Sequence, residues 1–326
     1  MKFKNILFII DEIEFKYFEL NKLVTNFWLI YEFLNRAYRV AITTKNKLFI
    51  KNAKPWAVCF ESYVKEDNIF KTDESQELEL EDFDVVFFRS DPPVDVDYVN
   101  ACHILDLVDE KKTLVINRPS SVLLKNEKLY VNEFPNIVPE NIVSADENVI
   151  KKFLKEKSEI IIKPLNRCFS SGVFYLNTED KNINAILSTA TENFKTQVMV
   201  QEFLPDIKYG DKRLIFICGE ILDYTVQKLG TDDFKFNQHT DSNFKKAPVS
   251  KEEKALEKVI GEKLMKDGIY IAGLDTISAK VIEINVTSPC FFIKEINNFY
   301  NIELHKIIVD KLESFIIQKK NQNQLV

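Results

Sequence analysis

Residues 273–289, GLDTISAKVIEINVTSP, constrain the fold more tightly than any other stretch of the chain. From Val281 to Val286 polarity alternates, with Ile282, Ile284 and Val286 on one side and Glu283 and Asn285 on the other. A period of two marks a strand with one buried and one polar face. Residues 274–277 form a second β-prone run. With Ser278, Ala279 and Lys280 as a three-residue hairpin loop, Ile277 pairs with Val281 and Asp275 lies opposite Glu283, close enough for both carboxylates to share one ion. Three oxygen donors on one face suit a hard cation such as Mg²⁺, which completes its shell with water and substrate phosphates. An edge hairpin with a solvated polar face has the same pattern, so geometry alone leaves both readings open.

Upstream, strands and helices alternate. Strands are expected over 4–10, 38–42, 84–89 and 113–117, with helices over 20–36 and 96–110 between them. In the first helix Leu23, Phe27, Ile30 and Leu34 share a face. This order predicts a parallel, doubly wound sheet. After Ser120 the pattern changes to a compact α+β unit, with a short helix carrying Asn126, Glu127 and Lys128, a helix over 146–157, and strands over 159–164, 173–176 and 197–201. A hairpin over 212–226, a polar irregular stretch over 229–250 and a helix over 251–266 precede the 273–289 hairpin, and a last helix spans 302–318. Leu256, Ile260 and Leu264 align on the 251–266 helix, and Gly268 stops it.

Composition narrows the function classes. Net charge is −6, and lysines are interleaved with acids, so no basic surface for nucleic acid is expected. A small or anionic metabolite is the expected partner. No apolar run approaches the roughly 18 residues of a membrane span. The opening apolar run stops at Asp11 and Glu12 with no small-residue cleavage site, and reads as a first buried strand rather than a signal peptide. Five scattered cysteines lack metal or redox spacing, as expected of reduced thiols in a cytoplasmic protein. Glycine is scarce: there are 7, none before Gly172, where average usage would give about 23.

Several short motifs, taken in order, carry a resemblance. They are Arg89-Ser90-Asp91-Pro92-Pro93, Asn126-Glu127-Lys128-Leu129, Ile162-Lys163-Pro164-Leu165, Gln201-Glu202-Phe203-Leu204, Gly210-Asp211-Lys212-Arg213, Gly273-Leu274-Asp275 and Glu283 to Pro289. Over nearly its full length the chain resembles the bacterial glutathione synthetases of the ATP-grasp superfamily. The resemblance implies an α/β fold: an N-terminal Rossmann-like, pre-ATP-grasp, substrate-binding domain over 1–120, an ATP-grasp small lobe over 121–204, and a C-terminal lobe with the metal site over 205–326. It implies ATP-dependent ligation of γ-glutamylcysteine and glycine through an acyl phosphate, in a cytoplasmic homo-oligomer (dimer or tetramer) that binds neither nucleic acid nor membrane.

The resemblance also implies residue roles. Lys128 and Lys163 would hold the α- and β-phosphates of ATP, Gln201, Glu202, Phe203 and Leu204 would form the hinge that reads adenine, and Ser170, Ser171, Gly172, Asp211 and Asn285 would complete the nucleotide site. Arg213, with Lys163, would serve the phosphoryl transfer. Asp275, Glu283 and Asn285 would bind Mg²⁺ or Mn²⁺. Arg89, Lys228, Lys235, Asn237, Thr287 and Ser288 would face the peptide substrate.

Two loops depart from the family pattern. The glycine-rich loop after Lys163-Pro164-Leu165 is replaced by Asn166-Arg167-Cys168-Phe169-Ser170-Ser171-Gly172, and the 230–247 loop carries Asp232, Asp233, Asp241 and Ser242 in place of glycines. Lys228 and Lys235 stand where the family has arginines, and lysine is a poorer bidentate carboxylate clamp. Cys290-Phe291-Phe292 replaces a small turn near the substrate. These departures keep two alternatives in view: the same ligase chemistry on another acid or amine, and a catalytically weak nucleotide-binding homologue.

Overall fold

Ile6 to Ile10 are completely buried, as a strand covered on both faces must be. The computed structural model describes residues 4–17, 22–168, 170–229 and 244–323. In it Asn5–Ile10 runs parallel to Arg39–Thr44 on one side and Val85–Phe88 on the other, and Val85–Phe88 runs parallel to Leu114–Ile116. The predicted parallel core is therefore present. Residues 45–83, for which periodicity suggested no element, extend it with antiparallel strands: Lys54–Lys65 pairs with Arg39–Thr44 and also with Leu48–Lys51, Asn68–Lys71 and Gln76–Glu79. Leu48–Lys51, Asn68–Lys71 and Gln76–Glu79 are short and partly exposed, so their hydrophobic signal is weak.

The second sheet is antiparallel, in the order Phe174–Asn177, Glu159–Pro164, Val198–Glu202, Asn141–Ser144. The helices Glu147–Lys157 and Ile183–Ala190 cover one face, burying Ile150, Leu154 and Leu187 against Ile160, Ile162 and Val200. The short helix expected around 126–128 is displaced. Asn126, Glu127 and Lys128 lie in the turn between the helix Pro119–Leu124 and the 3₁₀ turn Tyr130–Glu133.

The third sheet runs Phe244–Lys246, Val226–Lys228, Asp211–Ile217, Ile271–Ile277, Lys280–Asn285, with Glu220–Ile221 paired to Asp211–Ile217. The helix Lys251–Lys266 opens with a reciprocal capping box between Ser250 and Glu253. The last helix, Leu304–Asn323, returns to the first sheet's side: Arg36, just past the helix Thr25–Asn35, donates to Asp310 Oδ1 at 2.7 Å and Glu313 Oε2 at 2.5 Å.

The hairpin keeps the expected pairing of Asp275 with Glu283 by an unexpected route. Its turn has two residues, so Ile277 pairs with Lys280 and Thr276 with Val281. A bulge then absorbs one residue, Ile282, and restores Asp275 opposite Glu283. The bulge also changes which apolar residues face inward. Val281, Ile284 and Val286 join the core, while Ile282, expected there, lines a cleft.

Asn117, at the end of the last parallel strand, ties the first sheet to this hairpin. Its buried amide donates to Ile271 O at 2.7 Å and Val286 O at 2.8 Å, and its Oδ1 accepts from Tyr270 N at 2.8 Å and Ile271 N at 2.9 Å. All four of its hydrogen-bonding positions are used.

Glycine scarcity leaves its mark on the turns. Among the described residues fifteen non-glycine residues have positive φ, including both turn residues of the hairpin, Ser278 at 46° and Ala279 at 62°. Such a turn suits a hairpin's twist, but it disfavours a residue with a Cβ. Ala279→Gly is expected to stabilise the protein by about 0.5–1 kcal/mol, the relieved strain outweighing glycine's added chain entropy. The midpoint of urea unfolding checks this, and an unchanged or lower midpoint would refute it.

Candidate active site

The third sheet lays five charged side chains across neighbouring strands. Asp211 pairs with Lys228, Arg213 with Asp275, and Asp275 with Glu283. Arg213 grips Asp275 with two bonds, Nε to Oδ1 at 2.6 Å and Nη2 to Oδ2 at 2.9 Å, and donates Nη1 to Cys290 O at 3.0 Å. Gly273 makes room for it, because a Cβ there would lie 2.8 Å from Arg213 Cδ and 3.0 Å from Pro289 Cβ. Lys228 Nζ lies 2.5 Å from Asp211 Oδ2 and 3.3 Å from Asp275 Oδ1. Asn285 Nδ2 donates to Asp275 Oδ2 at 3.3 Å.

Asp275 is only 7% exposed. Burial alone would raise its pKa, but Arg213 and then Lys228 outweigh burial and hold the carboxyl well below the usual range. Burial raises Asp211, with Lys228 opposing. Burial likewise works against the charged form of Lys228, but Asp211 and Asp275 overcome it and raise its pKa.

Among the described residues no group of three or more His, Cys, Asp or Glu gathers into a metal cage. The oxygen set is instead two carboxylates and an amide, Asp275, Glu283 and Asn285, with Asp275 held ionised. That set fits a hard divalent cation that takes most of its shell from water and phosphate.

Two cavities meet at this cluster, sharing Cys168, Ser170, Lys228, Asp275 and Glu283 as walls. The smaller, about 170 Å³, has the mixed character of a nucleotide cleft. Its apolar walls are Ile161, Val173, Phe203, Leu204, Ile207, Ile277 and Ile282, and its polar groups include Lys128, Lys163, Arg167, Ser171, Gln201, Glu202 and Asp211. Lys163 Nζ donates to Gln201 Oε1 at 2.8 Å, and burial pushes the ammonium's pKa down. Gln201 Nε2 is buried without a partner, a donor left over for something else. Lys128 Nζ reaches Arg167 O at 2.7 Å and Glu283 Oε1 at 3.3 Å.

The expected hinge is only partly available for reading a base. The Glu202 and Phe203 N–H groups are spent on Glu140 O and Glu159 O, because this segment is an inner strand of its sheet. Gly172 is not among the residues lining the smaller cavity; its φ is 73°, and a Cβ there would lie 3.0 Å from Pro164 Cγ.

The larger cavity, about 440 Å³, is lined by Glu14, Asn26, Arg89, Asp91, Arg213, Asn285, Thr287, Ser288, Cys290 and Phe292 among others. Thr287 is fixed by Glu127, whose Oε1 accepts from Thr287 N at 3.1 Å, Thr287 Oγ1 at 2.8 Å and Val286 N at 2.9 Å. Lys235 and Asn237, expected at the substrate, lie outside the described residues.

The sequence reading missed Glu14, Asn26 and Glu127 as site residues. Asp11 and Glu14 follow the first parallel strand, and ligands of open α/β sheets bind beyond the carboxyl ends of such strands. That position was the available signal. Glu127 lay within one of the motifs, but its own role did not show there, since it depends on a backbone 159 residues away.

The sequence pattern of the prokaryotic glutathione synthetase N-terminal domain matches residues 5–122, and that of the prokaryotic glutathione synthetase ATP-grasp domain matches 127–301. The glutathione synthetase of Nostoc sp. (strain PCC 7120) is 34% identical over 283 residues, covering 83% of this chain and 87% of that protein. The glutathione synthetase of Yersinia pestis is 32% identical over 300 residues, covering 91% and 94%. Among solved structures, a D-cycloserine synthetase superposes with a TM-score of 0.66 at 13% identity, covering 95% of this chain and 99% of that one. The D-alanyl-alanine synthetase A of Vibrio cholerae gives 0.58 at 14% identity, covering 98% and 100%. At these identities the structures speak for the fold alone.

Crowding of acids in the larger cavity has a measurable consequence. Burial, then Asp11 and Glu14, raise the Asp91 carboxyl to about 7. A carboxyl whose folded pKa exceeds its unfolded value favours the folded state at low pH, and loses that contribution as pH rises from about 4 to about 7. Asp91→Asn is therefore expected to melt higher than the parent at pH 8, with the difference closing towards pH 4. A gap that widens at low pH would contradict this.

Proposed function

Because the chain belongs to the prokaryotic glutathione synthetase family, we infer that it joins γ-glutamylcysteine to glycine, forming glutathione while ATP becomes ADP and phosphate. The observation that carries this reading is Asp275 with its cations, set between a nucleotide-shaped cleft and a larger polar cavity.

The chemistry follows from that placement. ATP phosphorylates the C-terminal carboxylate of γ-glutamylcysteine, the glycine amine attacks the acyl phosphate, and phosphate leaves. Phosphoryl transfer needs positioning and charge neutralisation more than covalent help. Lys128 and Lys163 neutralise the α- and β-phosphates, and Ile161, Phe203, Leu204 and Ile282 sandwich the adenine, with Ser170 and Ser171 over the phosphates. With the N–H groups of residues 202 and 203 committed, the Leu204 N–H and the Gln201 amide are left to read polar edges of the nucleotide. Arg213, on the larger-cavity side, faces the transferring phosphoryl group and the carboxylate that receives it. Lys228, Thr287 and Ser288 position the acid. Asp275, Glu283 and Asn285 would hold a divalent cation, in our reading Mg²⁺ or Mn²⁺, which would supply further neutralisation of phosphate charge.

We assign the substrate-binding domain to 1–120, the small lobe to 121–204 and the C-terminal lobe to 205–326, in a cytoplasmic homo-oligomer. Among the described residues no helix is long and apolar enough to cross a membrane.

A coupled ADP-release assay tests the function: turnover must require both γ-glutamylcysteine and glycine and disappear in Asp275→Ala. ADP release with a different acid–amine pair would redirect the reading to another ligase. Arg213→Met is expected to lower kcat by about 10²–10³-fold, the loss typical of one transition-state donor. Nucleotide affinity by calorimetry should stay near the parent's, since Arg213 lines only the larger cavity. A matching loss of nucleotide affinity would reassign Arg213.

A further inference from the structure

The turn Cys290-Phe291-Phe292, where the sequence departs from the family's small turn, places an aromatic ring beside Arg213. Phe292 lines the larger cavity together with Arg213 and Phe244. Its ring lies 5.9 Å from the Arg213 guanidinium carbon and 4.9 Å from the Phe244 ring, tilted by 57°. The ring is held from several directions. Phe292 is 7% exposed and has a left-handed φ of 52° just before the helix Ile293–Tyr300. Phe291, its neighbour, is fully buried and donates its N–H to Thr25 Oγ1 at 2.8 Å. Cys290 O accepts from Arg213 Nη1 at 3.0 Å. Phe244 comes from another strand, Phe244–Lys246, where it pairs with Lys228 of the charge cluster. A side chain fixed by its own backbone and by a second ring does not swing aside for a larger neighbour, and close-packed groups resist an added methyl.

The position decides what such a ring can do. Arg213 faces the carboxylate that becomes the acyl phosphate, so the attacking amine must come within bonding distance of a carbon beside that guanidinium. The α-carbon of the acceptor is one bond further out. Asp275 takes Nε and Nη2 of Arg213, and Cys290 O takes Nη1. The phenyl ring beside them carries no polar atom to hold an amino-acid head, so what it supplies there is a limit on size. We propose that Phe292, backed by Phe244, is the wall that restricts the acceptor amine to glycine. An α-carbon bearing only hydrogens fits against the ring, and one bearing a methyl has to displace it. The proposal rests on the ligase reading above and adds to it the residue that selects the amine.

The test measures kcat/KM for glycine and for L-alanine, using the full chain with ATP and saturating γ-glutamylcysteine, and identifies the tripeptide products by mass. The parent is expected to favour glycine. Phe292→Gly removes the ring and suits the left-handed backbone. In it the glycine-to-alanine ratio is expected to fall by about 10–200-fold, the range for one methyl group in an apolar pocket, with the alanine value rising above the parent's. Phe244→Leu, which keeps Phe292 but loosens its support, should move the ratio the same way by a smaller factor. Equal use of the two amines by the parent overturns the wall. An unchanged ratio in Phe292→Gly overturns it too, including when both values fall by the same factor, which would make Phe292 a prop for Arg213 alone. If Phe292→Gly shows no cooperative unfolding in urea, Phe244→Leu decides, and an unchanged ratio there overturns the proposal. No turnover of glycine by the parent is a separate result and overturns the ligase reading itself.

Discussion

The two clefts depend on one carboxylate. Asp275 belongs to the walls of both, and it is bound by Arg213 from one neighbouring strand and by Lys228, which Asp211 holds in place. Removing its charge would leave a buried guanidinium and a buried ammonium without an anion between them, a severe penalty in a low-dielectric interior. The strand order of the third sheet thus serves electrostatics as much as packing. Lys228 faces Asp211 and Arg213 faces Asp275 across adjacent strands, so these charges find their opposites at the distance strand spacing imposes, while Glu283, opposite the like-charged Asp275, is met by Lys128 from outside the sheet.

How much of this was legible beforehand varied with the physical origin of the signal. The parallel core was readable because fully buried strands such as Asn5–Ile10 are continuous apolar runs. The helix Lys251–Lys266 was readable to the residue because Leu256, Ile260 and Leu264 lie on one face and Gly268 stops it. The short antiparallel strands Leu48–Lys51, Asn68–Lys71 and Gln76–Glu79 were not, since their burial is shallow and mixed. In the hairpin the pairing of Asp275 with Glu283 was reached with the wrong loop length, because a bulge restored the register that the two-residue turn had shifted. Bulges leave no mark in polarity beyond two adjacent apolar residues, here Val281 and Ile282. Lys128, Lys163 and the Asp275 cluster lay in recognisable motifs, whereas Asn26, bonded to Arg89, and Glu14, bonded to Asn26, join the site only through contacts between distant segments.

Scarce glycine shapes the chain without preventing the fold. Where a side chain has no room, glycine remains: a Cβ on Gly210 would lie 2.1 Å from Lys228 O, and one on Gly273 would press on Arg213. Both positions border the Asp275 cluster. Elsewhere the backbone enters the left-handed region with Ser, Ala, Asn or Phe instead, at some expense in stability. Phe292 is one of these, and its ring lies 5.9 Å from the Arg213 guanidinium carbon. The strained turn after Pro289 thereby brings an aromatic face to the larger cavity.

Asn117 has a consequence for how the chain is made. It directly follows the last parallel strand of the first sheet, yet the partners of its amide, Tyr270, Ile271 and Val286, lie 153 to 169 residues further on. The helix that packs beside Thr25–Asn35 is later still, Leu304–Asn323. A chain emerging from the ribosome at roughly 5–20 residues per second therefore holds its first sheet unfinished, with this polar group still in water and an apolar flank uncovered, until Leu304–Asn323 has been synthesised. The first sheet, although its strands precede those of the other two sheets, is among the last parts of the molecule to be sealed.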